Sequence, residues 1–211
     1  MTEDQSESRE LETRVLQGDT QALAKLFSLY RDRLWRMVSF RLDHRLKKRI
    51  DPDDVLQEAY LSATQRINKI RAESSRSIFI WFRLIVSQTL VDLHRRHIGS
   101  QLRDARREVS SFGGFSTDST SMSLSHCLLG HLTSPSNAAL RAELSQQIGT
   151  ALSGLSDLDR EVLALRHFEE LTNSETAQVL NITEQAASLR YVRALARLKD
   201  VMTTIPGMLD D

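Results

Sequence analysis

The stretch LSDLDREVLALRHFEELTNSETAQVLNITEQAASLRYVRALARLKDV, from Leu155 to Val201, limits what this chain can fold into more than any other. Thr172 is followed three residues later by Glu175, the pattern in which two side chains satisfy each other's free backbone N–H groups at a helix start. Ala177, Val179 and Leu180 come next, so the spacing predicts a short helix from about Asn173. That helix should stop at Asn181, a residue that tolerates the left-handed conformation helix ends often need. Thr183 can then cap the following helix, across a turn as short as a helix-turn-helix requires.

On the last helix, a step of about 100° per residue puts Ala187, Tyr191, Ala194 and Leu198 on one face, which must pack inward. Gln185, Leu189, Val192, Arg193 and Ala196 fall opposite, with Ser188, Arg190, Arg197 and Lys199 on the flanks. A solvated amphipathic helix with ordinary surface arginines has the same periodicity. The caps, the short turn and the basic rims together favour a DNA-facing helix, its donors placed where phosphates lie.

Charge has to act locally in this chain, because 28 Lys and Arg balance 28 Asp and Glu over 211 residues. That balance argues against nucleic-acid binding by bulk charge. The clusters are Arg31 to Arg49, with Arg31, Arg33, Arg36, Arg41, Arg45, Lys47, Lys48 and Arg49, and a second basic run from Arg95 to Arg107. Cys127 is the single cysteine, which excludes an internal disulfide framework and fits a reducing cytoplasm. The start of the chain is polar and acidic, and the most apolar run, IFIWFRLIV, is short and broken by Arg83, so a cytoplasmic protein without membrane insertion is expected.

Taken in order, residues 1–8 read as disordered, and a helical pattern begins at about Arg9 and breaks at Gly18-Asp19. A longer helix follows with Leu23, Leu26, Phe27, Tyr30, Leu34, Met37 and Val38 at three- and four-residue spacings. Asp51-Pro52 opens another, with Asp51 as cap and Asp53 and Asp54 placed well against the helix dipole. Along it Asp54, Gln57, Glu58 and Leu61 form a mixed strip, readable as plain surface or as a docking face for a basic partner helix. After the polar loop RAESSRS, Ser77 can cap a helix that starts apolar and turns basic at Arg95 and Arg96; Trp81 in it reads as core. Such a helix, entered from a Ser/Arg loop, suits single-stranded nucleic acid. Residues 110–136 hold no Lys or Arg and are dominated by Ser, Thr and Gly, the composition of a linker, with the apolar island MSLSHCLLGHL inside it.

Four of these segments, in this order, resemble the sigma factors of bacterial RNA polymerase, in the short extracytoplasmic-function (ECF) group of the sigma-70 superfamily. GDTQALAKLFSLYRDRLWRMV is similar to the start of its region 2, and DPDDVLQEAYLSATQRI to the helix that grips the coiled-coil clamp of the polymerase β′ subunit. IFIWFRLIVSQTLVDLHRRH resembles the element that opens and reads the −10 promoter region, and Leu155 to Lys199 resembles region 4, which reads the −35 element. The resemblance implies an all-α fold: region 2 over residues 9–108, a flexible Ser/Gly-rich linker over 109–138, and a region 4 helix-turn-helix over 139–204. It implies polymerase contacts by Asp53, Asp54, Gln57, Glu58 and Leu61, with the β′ clamp and β flap as docking points. For the −10 DNA it implies Arg71, Ser74, Ser75, Arg76, Trp81, Gln88, Arg95 and Arg96, with Gln88 standing where the family has Asn. For the −35 DNA it implies Thr183, Gln185, Ser188, Leu189, Arg190, Val192, Arg193 and Arg197. Ser188 and Leu189 replace a basic residue and a Ser found in many members. An anti-sigma factor is a further expected partner.

The function expected is therefore promoter specificity without catalysis; the second reading is a stand-alone helix-turn-helix regulator. No Gly-rich phosphate loop or nucleophile-base pairing is present, and no cofactor is expected. His94 with His97, and His126, Cys127 and His131, have spacings compatible with metal ligation but no clear fourth ligand, so no metal site is expected.

Overall fold

A computed structural model describes the backbone of residues 3–43, 45–47, 49–72, 77–98, 115, 117–130 and 138–203, and among these residues there is no strand. The chain divides into two compact units, Met1–Leu102 and Arg103–Asp211.

The first unit is a bundle of α1 (Glu3–Leu16), α2 (Thr20–Arg41), α3 (Pro52–Arg66) and α4 (Ile78–Ile98), with a 3₁₀ turn at Ile67–Ala72. Helix α1 begins at Glu3 and not near Arg9; its first residues are acidic, which suits a helix N-terminus but leaves no apolar periodicity to read. Gly18 at φ 90° makes the turn into α2, where Asp19 accepts the N–H groups of Gln21 and Ala22 at 2.8 and 3.0 Å. Those amide donors, the Ala22 N–H above all, and then the Arg14 guanidinium hold the Asp19 carboxyl below its ordinary range. Helix α2 packs against α1, α3 and α4. Leu23, Leu26 and Leu34 are fully buried, and the Phe27 ring lies 5.1 Å from Phe82 and 5.3 Å from Tyr60. Each such side chain contributes about 1.5–3 kcal/mol relative to staying exposed.

The second unit holds α5 (Thr117–Gly130), α6 (Ala138–Ser153), α7 (Asp157–Leu163), α8 (Asn173–Leu180) and α9 (Glu184–Thr203), with one π turn at Ala164–Phe168. The stretch read as a linker, residues 109–138, is thus not linker throughout. Helix α5 packs on α6 and α7, burying Thr120 and Leu124 one turn apart, and the Thr120 hydroxyl donates to Glu161 of α7 at 2.8 Å. Ser and Thr are weak helix formers, so here tertiary burial outweighs local preference.

Candidate nucleic-acid interface

The local chemistry of the turn sets the geometry of the second unit's outer helix. At the start of α8 the Thr172 N–H donates to the Glu175 carboxylate at 2.8 Å, and the Glu175 N–H donates to the Thr172 hydroxyl at 3.2 Å. Asn181 ends the helix in the left-handed region, φ 53° and ψ 46°, and Thr183 accepts the Ala186 N–H at 3.2 Å. Asn173, which the sequence did not single out, donates from its amide to the Glu184 carbonyl at 2.8 Å and ties the start of α8 to the start of α9.

Helix α9 presents the faces its periodicity predicts. Ala187 and Ala194 are fully buried; Tyr191 and Leu198 are half-buried, with the Arg166 guanidinium 5.1 Å from the Tyr191 ring centroid. Thr183, Gln185, Ser188, Leu189, Val192, Arg193, Ala196, Arg197 and Lys199 are exposed, and Arg190 is half-buried. The reason lies 31 residues upstream. Asp159, buried near the start of α7, accepts from the Arg190 guanidinium at 3.0 Å and has Arg197 at 3.9 Å. Two of the arginines expected at DNA are thus held at the rim by an acid whose role no local pattern announces.

In the first unit, Asp51 caps α3 by accepting the Asp53 N–H at 2.9 Å, while Val55, Ala59 and Ala63 turn inward with no exposure. This leaves Asp54 and Gln57 exposed, Leu61 62% exposed, and Asp53 and Glu58 half-buried. Arg31 pairs with Asp53 at 2.6 Å, and Arg96 pairs with Glu58. Glu58, expected to meet polymerase, and Arg96, expected to meet DNA, are thus brought together.

Arg66, Lys69, Trp81, Leu84, Ile85 and Gln88 line a recess between α3 and α4. Trp81 is only 5% exposed, a wall of this recess, and the exposed Gln88 accepts a hydrogen bond from Arg66 through its amide oxygen. Arg95 is exposed beside Asp92, 3.5 Å away. Arg71 belongs to the 3₁₀ turn by its backbone; its side chain, and all of Ser74, Ser75 and Arg76, lie outside the described residues. Nε2 of His94 accepts the Asp43 N–H at 3.4 Å, and burial, together with Arg45, keeps this imidazole below its ordinary value against the pull of Asp43. Among the described residues no three His, Cys, Asp or Glu gather as metal ligands; His131 lies outside them.

Two helical units, the second ending in a capped turn and an exposed, cation-rimmed helix, give the helix-turn-helix architecture that many DNA-binding proteins use. The family described as Sigma-70, region 4 matches residues 151–200, which contain the whole of α7, α8 and the exposed face of α9. The chain is 25% identical over 185 residues to the ECF RNA polymerase sigma factor SigW of Bacillus subtilis, spanning 88% of this chain and 91% of that protein. It is 24% identical to the ECF RNA polymerase sigma factor BldN of Streptomyces coelicolor, over 92% of this chain and 67% of the relative. The solved structure of CnrH in complex with the cytosolic domain of CnrY shares the fold, with a TM-score of 0.51 and 20% identity over 94% of this chain and 98% of that one. Over most of its length the chain is thus similar to sigma factors of the ECF group, and its residues 151–200 match region 4 of the sigma-70 family.

Proposed function

We propose that this protein binds core RNA polymerase and directs it to promoters, through two separate contacts. The observation that carries this reading is the capped helix-turn-helix with an exposed outer face inside the region 4 match, on one chain with a helical unit that exposes Asp54, Gln57 and Leu61. In this reading α3 docks on the β′ clamp through Asp53, Asp54, Gln57, Glu58 and Leu61, and the second unit sits at the β flap. Arg71, Ser74, Ser75, Arg76, Gln88, Arg95 and Arg96 hold the melted −10 strand, with Trp81 as a buried wall of the recess beside Gln88. Helix α9 enters the −35 major groove with Gln185, Ser188, Leu189, Val192 and Arg193 toward the bases, while Arg190 and Arg197 position it at phosphates. Joining two modest contacts on one polymerase raises their effective concentration, which fits a chain of zero net charge.

The protein's work is binding, without catalysis of its own. An anti-sigma protein is the proposed regulator; the CnrH fold was solved with a cytosolic domain of another protein bound, which supports a protein partner for this architecture. No described helix is long and apolar enough to cross a membrane, and the site of action proposed is the cytoplasm.

A pull-down with purified bacterial core polymerase tests the reading, and no association with core enzyme overturns it. Arg193→Ala should impair use of −35 elements and leave polymerase binding intact, whereas Gln57→Ala with Glu58→Ala should do the reverse. Equal loss of polymerase binding in both variants overturns this division of roles.

A further inference from the structure

The outer face of α9 carries an apolar pair where a solvated helix would carry polar side chains. Leu189 and Val192 are 57% and 62% exposed, among the most exposed large apolar side chains of the described residues. Three residues apart, they are neighbours on the helix surface, with Cβ atoms about 5–6 Å from each other. Gln185 lies one turn before Leu189 and Arg193 one turn after it, both exposed. From Gln185 to Lys199 the helix contains no Asp or Glu but has Arg190, Arg193, Arg197 and Lys199. A face that is cationic at its rims and apolar at its centre is complementary to a polyanion that displays apolar groups between its phosphates.

The major groove of duplex DNA presents such a group in one base alone, the C5 methyl of thymine. We propose that Leu189 and Val192 read thymine methyls, so that this protein selects a −35 element with thymines one or two base pairs apart. That spacing follows from the separation of the two side chains against a base rise of about 3.4 Å. Gln185, whose amide sets an N–H donor beside an acceptor oxygen, matches an adenine edge beside them. The tether of Arg190 to Asp159 at 3.0 Å keeps that cation at the rim and leaves the centre of the face to the apolar pair. This inference rests on the −35 role proposed for α9 and adds the chemistry of the bases that it takes.

The test uses the full chain bound to core polymerase. Duplex DNA randomised across the −35 region is selected for binding, and each enriched thymine is then replaced by deoxyuridine, which removes the methyl and nothing else. Thymine should be enriched at two nearby positions, and each replacement should weaken binding about fourfold, the worth of one buried methyl-sized group. Leu189→Gln and Val192→Gln, both at exposed positions, should each abolish the thymine-over-uracil preference at one position. Retained −35 selection with thymine and uracil bound equally overturns this inference and leaves the promoter-directing function standing. Weakened polymerase association in Leu189→Gln, with −35 selection unchanged, also overturns it and makes the face a protein-docking surface. A chain that fails to bind core polymerase at all removes the function and the inference together.

Discussion

Helices α3 and α9 both present charged strips, but their charges are held in opposite ways. On α3, Asp53 and Glu58 pair with Arg31 and Arg96 across side chains that are all 44–55% exposed. Such pairs are worth about 0–1 kcal/mol and exchange readily for a partner's charges. On α9, Arg190 is fixed by Asp159, whose side chain is only 11% exposed, and a buried carboxylate loses far more when its partner leaves. The first strip is therefore suited to trading its internal ion pairs for contacts with a basic partner helix. The second holds Arg190 and Arg197 beside Asp159 and, in the −35 role proposed for α9, leaves the bases to Gln185, Leu189, Val192 and Arg193.

The largest expected effect comes from breaking the anchored side. Asp159→Ala should lower the stability of the second unit by about 2 kcal/mol, the range for a lost hydrogen bond to a charged group. A shift of the urea midpoint checks this, and an unshifted midpoint would mean that Arg190 is as loosely held as the pairs on α3. A smaller effect should follow acid in the first unit. Folding holds the His94 imidazole below its ordinary value of 6.5, so the unfolded chain binds the proton more tightly. Stability is then full above pH 6.5 and declines as pH falls below it, because a protonated Nε2 can no longer accept the Asp43 N–H. Its single 3.4 Å hydrogen bond ranks this below the Asp159 anchor. Thermal melts of wild type and His94→Gln across that pH range should diverge only in slope, and parallel curves would remove His94 from the account. The smallest effect is expected for Glu58→Gln and Asp53→Asn, each within about 0.5 kcal/mol of wild type in the same melts. A larger loss would show that α3's pairs are structural and not exchangeable.

The caps were legible because they are local. Thr172 with Glu175, Asn181, Thr183 and Asp51-Pro52 lie within one helical turn of the groups that they satisfy, and all are found doing so. The two faces of α9 were legible for the same reason, since a 3.6-residue period is a property of the helix itself. Helix α5 was not, because its Ser/Thr-rich sequence has weak helix preference and its reason to fold is the surface of α6 and α7.

The sequence by itself determined an all-α chain, the position and punctuation of its helix-turn-helix, and which residues of α9 face outward. Only the tertiary structure decided which other side chains hold the expected site residues: Asp159 holds Arg190, Glu58 holds Arg96, and Arg66 holds Gln88. These partners are separated by 31, 38 and 22 residues. A charge's nearest neighbour in space is set by how helices pack, which periodicity along one helix does not encode.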